Sequence, residues 1–174
     1  MQFDIEKNKL LSKDTMYSYI EFIKKIRQDM PDKTWFAMDD DDVIMKRFQE
    51  KTAFVYTAKE SETGRLAGIF MVTVPGLSEE NLGHDLGFSE EDLLKSVHMD
   101  TAVILPDYRG NGLQARLMEK AEADCIRQGY AYLLCTIHPE NRFSLQNARK
   151  LGYQIVKTTF KYGGLPRNIL CKTL

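Results

Sequence analysis

Two side chains able to carry a proton near neutral pH, His98 and Asp100, stand two residues apart in His98-Met99-Asp100-Thr101-Ala102-Val103-Ile104-Leu105. An unperturbed imidazole titrates at about 6.5 and an aspartate at about 3.9, so either group, tuned by its surroundings, could act as a general base near neutral pH. Just downstream, Arg109-Gly110-Asn111-Gly112-Leu113-Gln114-Ala115 offers a different chemistry. The first amides of a helix have no internal partner, and neighbouring glycines let an anion come close to them. A phosphate fits that pattern, and Arg109 could add a charged fork. A plain strand-to-helix turn fits it too. A P-loop is excluded, because no lysine follows Gly112 at the required spacing. A dinucleotide fingerprint would need Ala115 as its third small residue, and the next strand ends at His138-Pro139 with too little chain left for a doubly wound sheet.

These residues need a strand, a loop and a helix to hold them, and the sequence supplies all three. Residues 98–105 alternate as a strand, which puts His98, Asp100, Ala102 and Ile104 on one face and Met99, Thr101 and Val103 on the other. Pro106 stops the strand, and Asp107, Gly110, Asn111 and Gly112 have turn chemistry. Leu113, Leu117, Ala121 and Cys125 recur every four residues, with Met118 beside them, predicting a helix to about Gly129. A strand over 131–137, a helix starting at Asn141, and a hairpin of 153–161 with 168–173 around Gly163-Gly164-Leu165-Pro166 complete the second half.

In the first half, Gln2 to Ile5 is a short strand candidate. Met16, Tyr19, Ile20, Ile23, Ile26 and Met30 form a helical stripe that Ser12 or Asp14 could cap and Pro31 ends. A second helix is expected over 41–50, burying Ile44 and Phe48. The acidic run 39–42 before it is either a capped helix start or an anionic patch that would attract a cation. Residues 53–59 and 65–74 predict a hairpin turned at Gly64, with Gly68 as a bulge or close packing point. Residues 75–96 are rich in Gly, Ser, Glu and Asn, with a helix start at Ser89. A long connection of this kind is either a lid or surface decoration.

With 174 residues, 43% of them apolar, the chain suits one domain spanning 1–174 with its own core. A net charge of −1 gives no field that would draw nucleic acid or an anionic membrane. No run is apolar enough to span a bilayer or serve as a secretion signal, so cytoplasmic residence is the expectation. Cys125, Cys135 and Cys171 are odd in number and set in apolar patterns, reading as reduced and structural. No metal-ligand cluster stands out.

The stretch Val103 to Gln114 resembles the acyl-CoA loop of the GCN5-related N-acetyltransferase (GNAT) family, Gln/Arg-x-x-Gly-x-Gly/Ala. Arg109 and Gly112 match it, and Gln114 replaces the last small residue. A second block, Asn141, Ser144, Asn147, Lys150 and Gly152-Tyr153, is similar to that family's fourth helix and following strand. The resemblance covers about 97–174. It implies an α/β (α+β) fold: a mixed, mostly antiparallel central sheet flanked by helices. It also implies acetyl-CoA as acyl donor and direct attack by an amine.

Under that resemblance, amides of Arg109, Gly110, Asn111, Gly112, Leu113, Gln114 and Ala115 cradle the pyrophosphate, and Val103, Ile104 and Leu105 pair with the pantetheine arm. Asn141, Ser144 and Asn147 contact the same cofactor. A backbone amide at Ile104 or Leu105 polarises the carbonyl, and His98 or Asp100 is the base. The family's usual acid, a tyrosine seven residues after Asn141, is here Ala148. Tyr162 and Cys135 are further acid candidates, Tyr153 stands where relatives put a core aromatic, and His138 could line the thioester site or sit in a surface turn. Arg167 or Tyr162 could recognise the acceptor. Residues 75–96 look like an insertion beside the acceptor site. The expected acceptor is a small-molecule amine, with a homodimer left open. The rival is a CoA-binding regulatory module without turnover.

Overall fold

A computed structural model describes residues 1–8 and 11–174 of the chain. Seven strands form one sheet in the order β1-β2-β3-β4-β5-β7-β6. They are β1 (Phe3–Asn8), β2 (Ala53–Glu60), β3 (Leu66–Thr73), β4 (Ser96–Ile104), β5 (Tyr132–Ile137), β6 (Gln154–Lys161) and β7 (Leu165–Thr173). Every neighbouring pair is antiparallel except β4 and β5, which run parallel. The mixed, mostly antiparallel sheet flanked by helices is therefore as the sequence implied.

Each face of the sheet has its own core. On one face, α4 (Leu113–Arg127) and α5 (Arg142–Lys150) cover Tyr56, Phe70, Met99, Leu133 and Leu170. The α4 stripe reads as its periodicity predicted, with Leu113, Leu117, Met118, Ala121 and Cys125 all buried. On the other face, α1 (Lys13–Gln28) and α2 (Asp41–Gln49) cover Val55, Ile69, Met71 and Val103. Ser12 caps α1, its hydroxyl accepting from Thr15 N at 3.1 Å. Helix α2 buries Ile44 and Met45. Phe48, expected to be buried there, is half-buried and packs against the edge of this core.

Residues 75–96 carry more structure than their composition suggested. A 3₁₀ turn (Leu82–Leu86) and a short helix, α3 (Glu90–Leu94), lie along the α1/α2 side of β5 and β7, where Leu82 packs on Leu134 and Ile169. Asn81 holds the segment together: its Nδ2 donates to Gly76 O, Leu93 O and Ser96 Oγ, and its Oδ1 accepts from Gly83 N. Asp85 then pairs with Lys157 at 3.0 Å and Lys161 at 2.7 Å on β6.

Two strand expectations need correction. β4 contains a bulge: Met71 pairs with Thr101 and Val72 with Met99, leaving Asp100 as an extra residue. Strict alternation therefore fails. Met99, Ala102 and Ile104 pack toward α4, Val103 packs toward α1, and His98 and Asp100 do not share a face with Ala102 and Ile104. The closing strand also starts three residues early, at Leu165 rather than Asn168. Pro166 is tolerated there because β5 stops pairing at Asn168, so no ladder partner needs the missing amide.

Gly68 is the close packing point. A Cβ there would lie 3.0 Å from Val103 O and collide with the Ile104 side chain.

Candidate functional site

β4 and β5 pair over only three couples, Ser96 with Tyr132, Val97 with Leu133 and His98 with Leu134, and then diverge. Past that point, among the described residues, the β5-facing edge of β4 has no strand beside it. In an antiparallel ladder alternate residues turn their amides and carbonyls to the partner. Leu105 N donates to Ala67 O at 2.9 Å, so its amide is spent on the β3 side and cannot polarise a carbonyl. By the same alternation Ala102 and Ile104 turn their polar groups into the opening. Arg109 Nε reaches Ile104 O at 3.3 Å, which brings its guanidinium to the end of that edge.

The glycine loop lies directly below. Gly110 and Gly112 have φ of 82° and 68°, a left-handed conformation natural to glycine. An added Cβ at either would meet nothing within 4 Å, so the space above them is open. Arg116 N is the first α4 amide with a partner, Gly112 O at 3.1 Å. Among the described residues, amides 110–115 have no protein acceptor. Asn111 Nδ2 pins the loop to Tyr108 O at 3.0 Å, and Tyr108 in turn donates to Glu60 at 3.1 Å. A row of free amides at a helix start, under open space, fits a diphosphate.

Gln114, the departure from the family pattern, turns its side chain away from this row. Its Nε2 donates to Ser144 Oγ at 3.2 Å and its Oε1 accepts from Asn147 Nδ2 at 3.1 Å. Three residues expected to touch the cofactor thus bind one another and join α4 to α5, while the Gln114 amide stays free. Asn141 caps α5, its Oδ1 accepting from Ser144 N at 3.2 Å. Ala148 is fully buried and brings no proton donor.

On the α1/α2 side of the sheet the bulge sends Asp100 into a recess lined by Ile23, Met38, Asp39, Ile44, Met71 and Thr101. Asp100 is exposed at the rim of this recess, and the protein packed around it still pushes its carboxyl up to about 6. Asp39 and Glu80 push in the same direction and Arg47 opposes them. Arg47 bridges the two, 2.5 Å from Asp39 and 3.0 Å from Glu80, which ties α2 to the 75–96 segment. The rest of the acidic run is spread out: Asp41 pairs with Lys24 at 2.6 Å and Asp40 occupies the N-cap of α2. Next to the recess is a groove of about 470 Å³ bounded by Val43, Arg47, Thr73, Pro75, Glu80 and His98.

His98 has a different environment from Asp100. Its Nε2 accepts from Leu82 N at 3.0 Å. Burial, then Arg47 and Lys161, push its pKa down to about 3. A ring whose lone pair already serves a backbone amide is a strut for the 75–96 segment.

Sequence reasoning named His138 and Arg167 but not Thr34 and Trp35, nor the roof the four build together. The loop between α1 and α2 is fastened to the far edge of the sheet: Arg167, itself buried, donates to Thr34 O at 2.7 Å, and Trp35 stacks on His138 with ring centroids 6.2 Å apart. The Trp35 indole N–H is buried, with no acceptor among the described residues. The lone tryptophan after Pro31 was the available signal. Tyr162, at the β6–β7 turn, shares a 3.0 Å hydrogen bond with Thr136 on β5.

Residues 15–153 match the family model described as Acetyltransferase (GNAT) family. No curated protein matches the chain by sequence. Among solved structures, the NatC complex bound to Gag peptide and CoA is 15% identical, with TM-score 0.73 over 100% of this chain and 99% of that one. The Salmonella typhimurium protein yncA with its cofactor acetyl-CoA is 15% identical, with TM-score 0.71 over 99% and 94%. The ribosomal-protein-S18-alanine N-acetyltransferase of Escherichia coli is 14% identical, with TM-score 0.68 over 99% and 94%. At these identities the likeness is one of fold.

Proposed function

The chain belongs to the acetyltransferase (GNAT) family, whose acyl donor is acetyl-CoA, and from that premise we propose that it acetylates a small cationic amine with Asp100 as the proton acceptor. Bound acetyl-CoA supplies an acyl group on a thioester that an amine can attack directly. Amides 110–115 and Arg109 would hold its diphosphate, the Ala102–Ile104 edge would hold the pantetheine arm, and the Ile104 amide, unlike that of Leu105, would be free to polarise the carbonyl.

One observation carries the catalytic assignment. The β4 bulge points a carboxyl with a pKa of about 6 into a recess between β3, β4, α1 and α2, just past the last couple that joins β4 to β5. Such a group is half ionised near its working pH and can take a proton from an arriving ammonium or amine. The charge of the recess supports a cationic acceptor: Asp39, Asp100 and Glu80 set three carboxylates against the single guanidinium of Arg47. The roof made by Thr34, Trp35, Arg167 and His138 narrows this side, which supports a small acceptor. The 75–96 segment serves as a wall here, through Glu80, Leu82 and the His98 strut.

A second reading, a CoA-binding module without turnover, is favoured by the buried Ala148. Thiol release from acetyl-CoA, followed with n-butylamine, cadaverine, spermidine and an alanine-leading peptide amide, separates the two. Acetylation of the short amines supports the proposal. CoA binding with no release from any acceptor supports the silent module, and release with the peptide alone contradicts a small acceptor.

A further inference from the structure

We propose that Tyr162 is the proton donor to the departing thiolate, in place of the tyrosine whose position Ala148 occupies, with Thr136 orienting its hydroxyl and Arg167 supporting its phenolate. This rests on the acetyl-transfer reading above.

The geometry sets Tyr162 across the opening from Asp100. The last couple joining β4 to β5 is His98 with Leu134. Asp100 lies two residues beyond it on one strand and Thr136 two residues beyond it on the other. Thr136 shares its strand face with Leu134, which packs under the 75–96 segment on the same side of the sheet as the Asp100 recess. Tyr162 Oη hydrogen-bonds to Thr136 Oγ1 at 3.0 Å. The phenol is thereby fixed at the β5 lip while the carboxyl stands at the β4 lip.

The backbone supports a positioned residue. Tyr162 has φ of 53°, unusual for a non-glycine side chain, and two left-handed glycines follow it. Sparsely populated conformations of this kind cluster where a side chain is held for a purpose.

Arg167 provides an independent observation. It is 2% exposed, its guanidinium carbon lies 5.6 Å from the centre of the Tyr162 ring, and its recorded partners are the carbonyls of Thr34 and Pro166. Among the described residues it has no carboxylate partner. A buried cation without an anion is costly. A phenolate formed beside it would relieve that cost. The charged groups facing Tyr162 are Arg167, Asp100 and Asp39. The other acid candidate from the sequence, Cys135, packs on the opposite face, and burial pushes its thiol up to about 12.

The step balances. The amine nitrogen bonds to the acetyl carbon, and the C–S bond breaks with its electron pair left on sulfur. Sulfur takes the Tyr162 proton, and the amine's proton goes to Asp100. Tyr162, 50% exposed, then regains a proton from solvent.

The test pairs kinetics with a readout that needs no acceptor. The ionisation of bound CoA thiol is followed by thiolate ultraviolet absorbance in the wild type and in Tyr162→Phe, with melting and CoA affinity as controls for folding. The expected result is a bound-thiol pKa that rises by about one unit in Tyr162→Phe, with kcat for cadaverine falling about 10²-fold while KM for acetyl-CoA holds. An unchanged bound-thiol pKa overturns the proposal, as does a loss confined to the acceptor's KM. Failure of the underlying reading looks different: the wild type itself would release no thiol from acetyl-CoA with any acceptor in the panel.

Discussion

Asp100 and His98 are near neighbours on β4, and the bulge between strand partners gives them separate tasks. With Asp100 as base, activity depends on its ionised form, so kcat/KM should climb as pH rises through about 6 and level off above it. Asp100→Asn should remove that limb and lower kcat/KM by about 10²- to 10⁴-fold. His98→Gln should keep the limb. For His98 the expected effect is on stability. Folding lowers its pKa from 6.5 to about 3, so below 6.5 the unfolded chain binds a proton that the folded chain refuses. Stability should fall as pH drops through that window, and His98→Gln should flatten the slope in denaturant melts at stepped pH. Both residues were legible in the sequence as proton carriers, but their relation was not. Alternation carries no mark of an inserted residue, and only a charged side chain inside an apolar strand hinted at one.

Among the elements, the glycine loop and α4 were the most legible, because the switch from a period of two to a period of four survives in any surroundings. The loop's function depends on main chain, so Gln114 could depart from the pattern by turning toward Ser144 and Asn147. Gly112→Arg should raise the Kd for CoA by at least about tenfold, since it forces a side chain into a left-handed position and fills the open space above the amides. Calorimetry measures this, and an unchanged affinity would place the diphosphate elsewhere. The 75–96 segment was legible only as polar and long. Its order comes from contacts distant in sequence: Asn81 to Leu93 and Ser96, Asp85 to β6, and Leu82 to β5 and β7. Asn81→Ala leaves several buried groups unpaired and should cost about 3 kcal/mol in a denaturant melt. If the segment walls the acceptor site, the same variant should raise the acceptor's KM while leaving the Kd for CoA unchanged.

At the scale of the molecule, one parallel pair in an otherwise antiparallel sheet makes the site. Three couples hold β4 to β5 and then release them, and everything proposed for chemistry is arranged around that parting: free amides below, Asp100 on one lip, Thr136 and Tyr162 on the other. The fold class was legible because strand, loop and helix follow in an order that a resemblance could fix. The roof was not, since Arg167 meets Thr34 across 133 positions of sequence. A crystal structure with CoA bound tests the account most directly. It should put the diphosphate on amides 110–115 and the thiol between β4 and β5, within reach of both Asp100 and Tyr162. CoA seated away from that loop, or its sulfur outside the parting of the two strands, would contradict it.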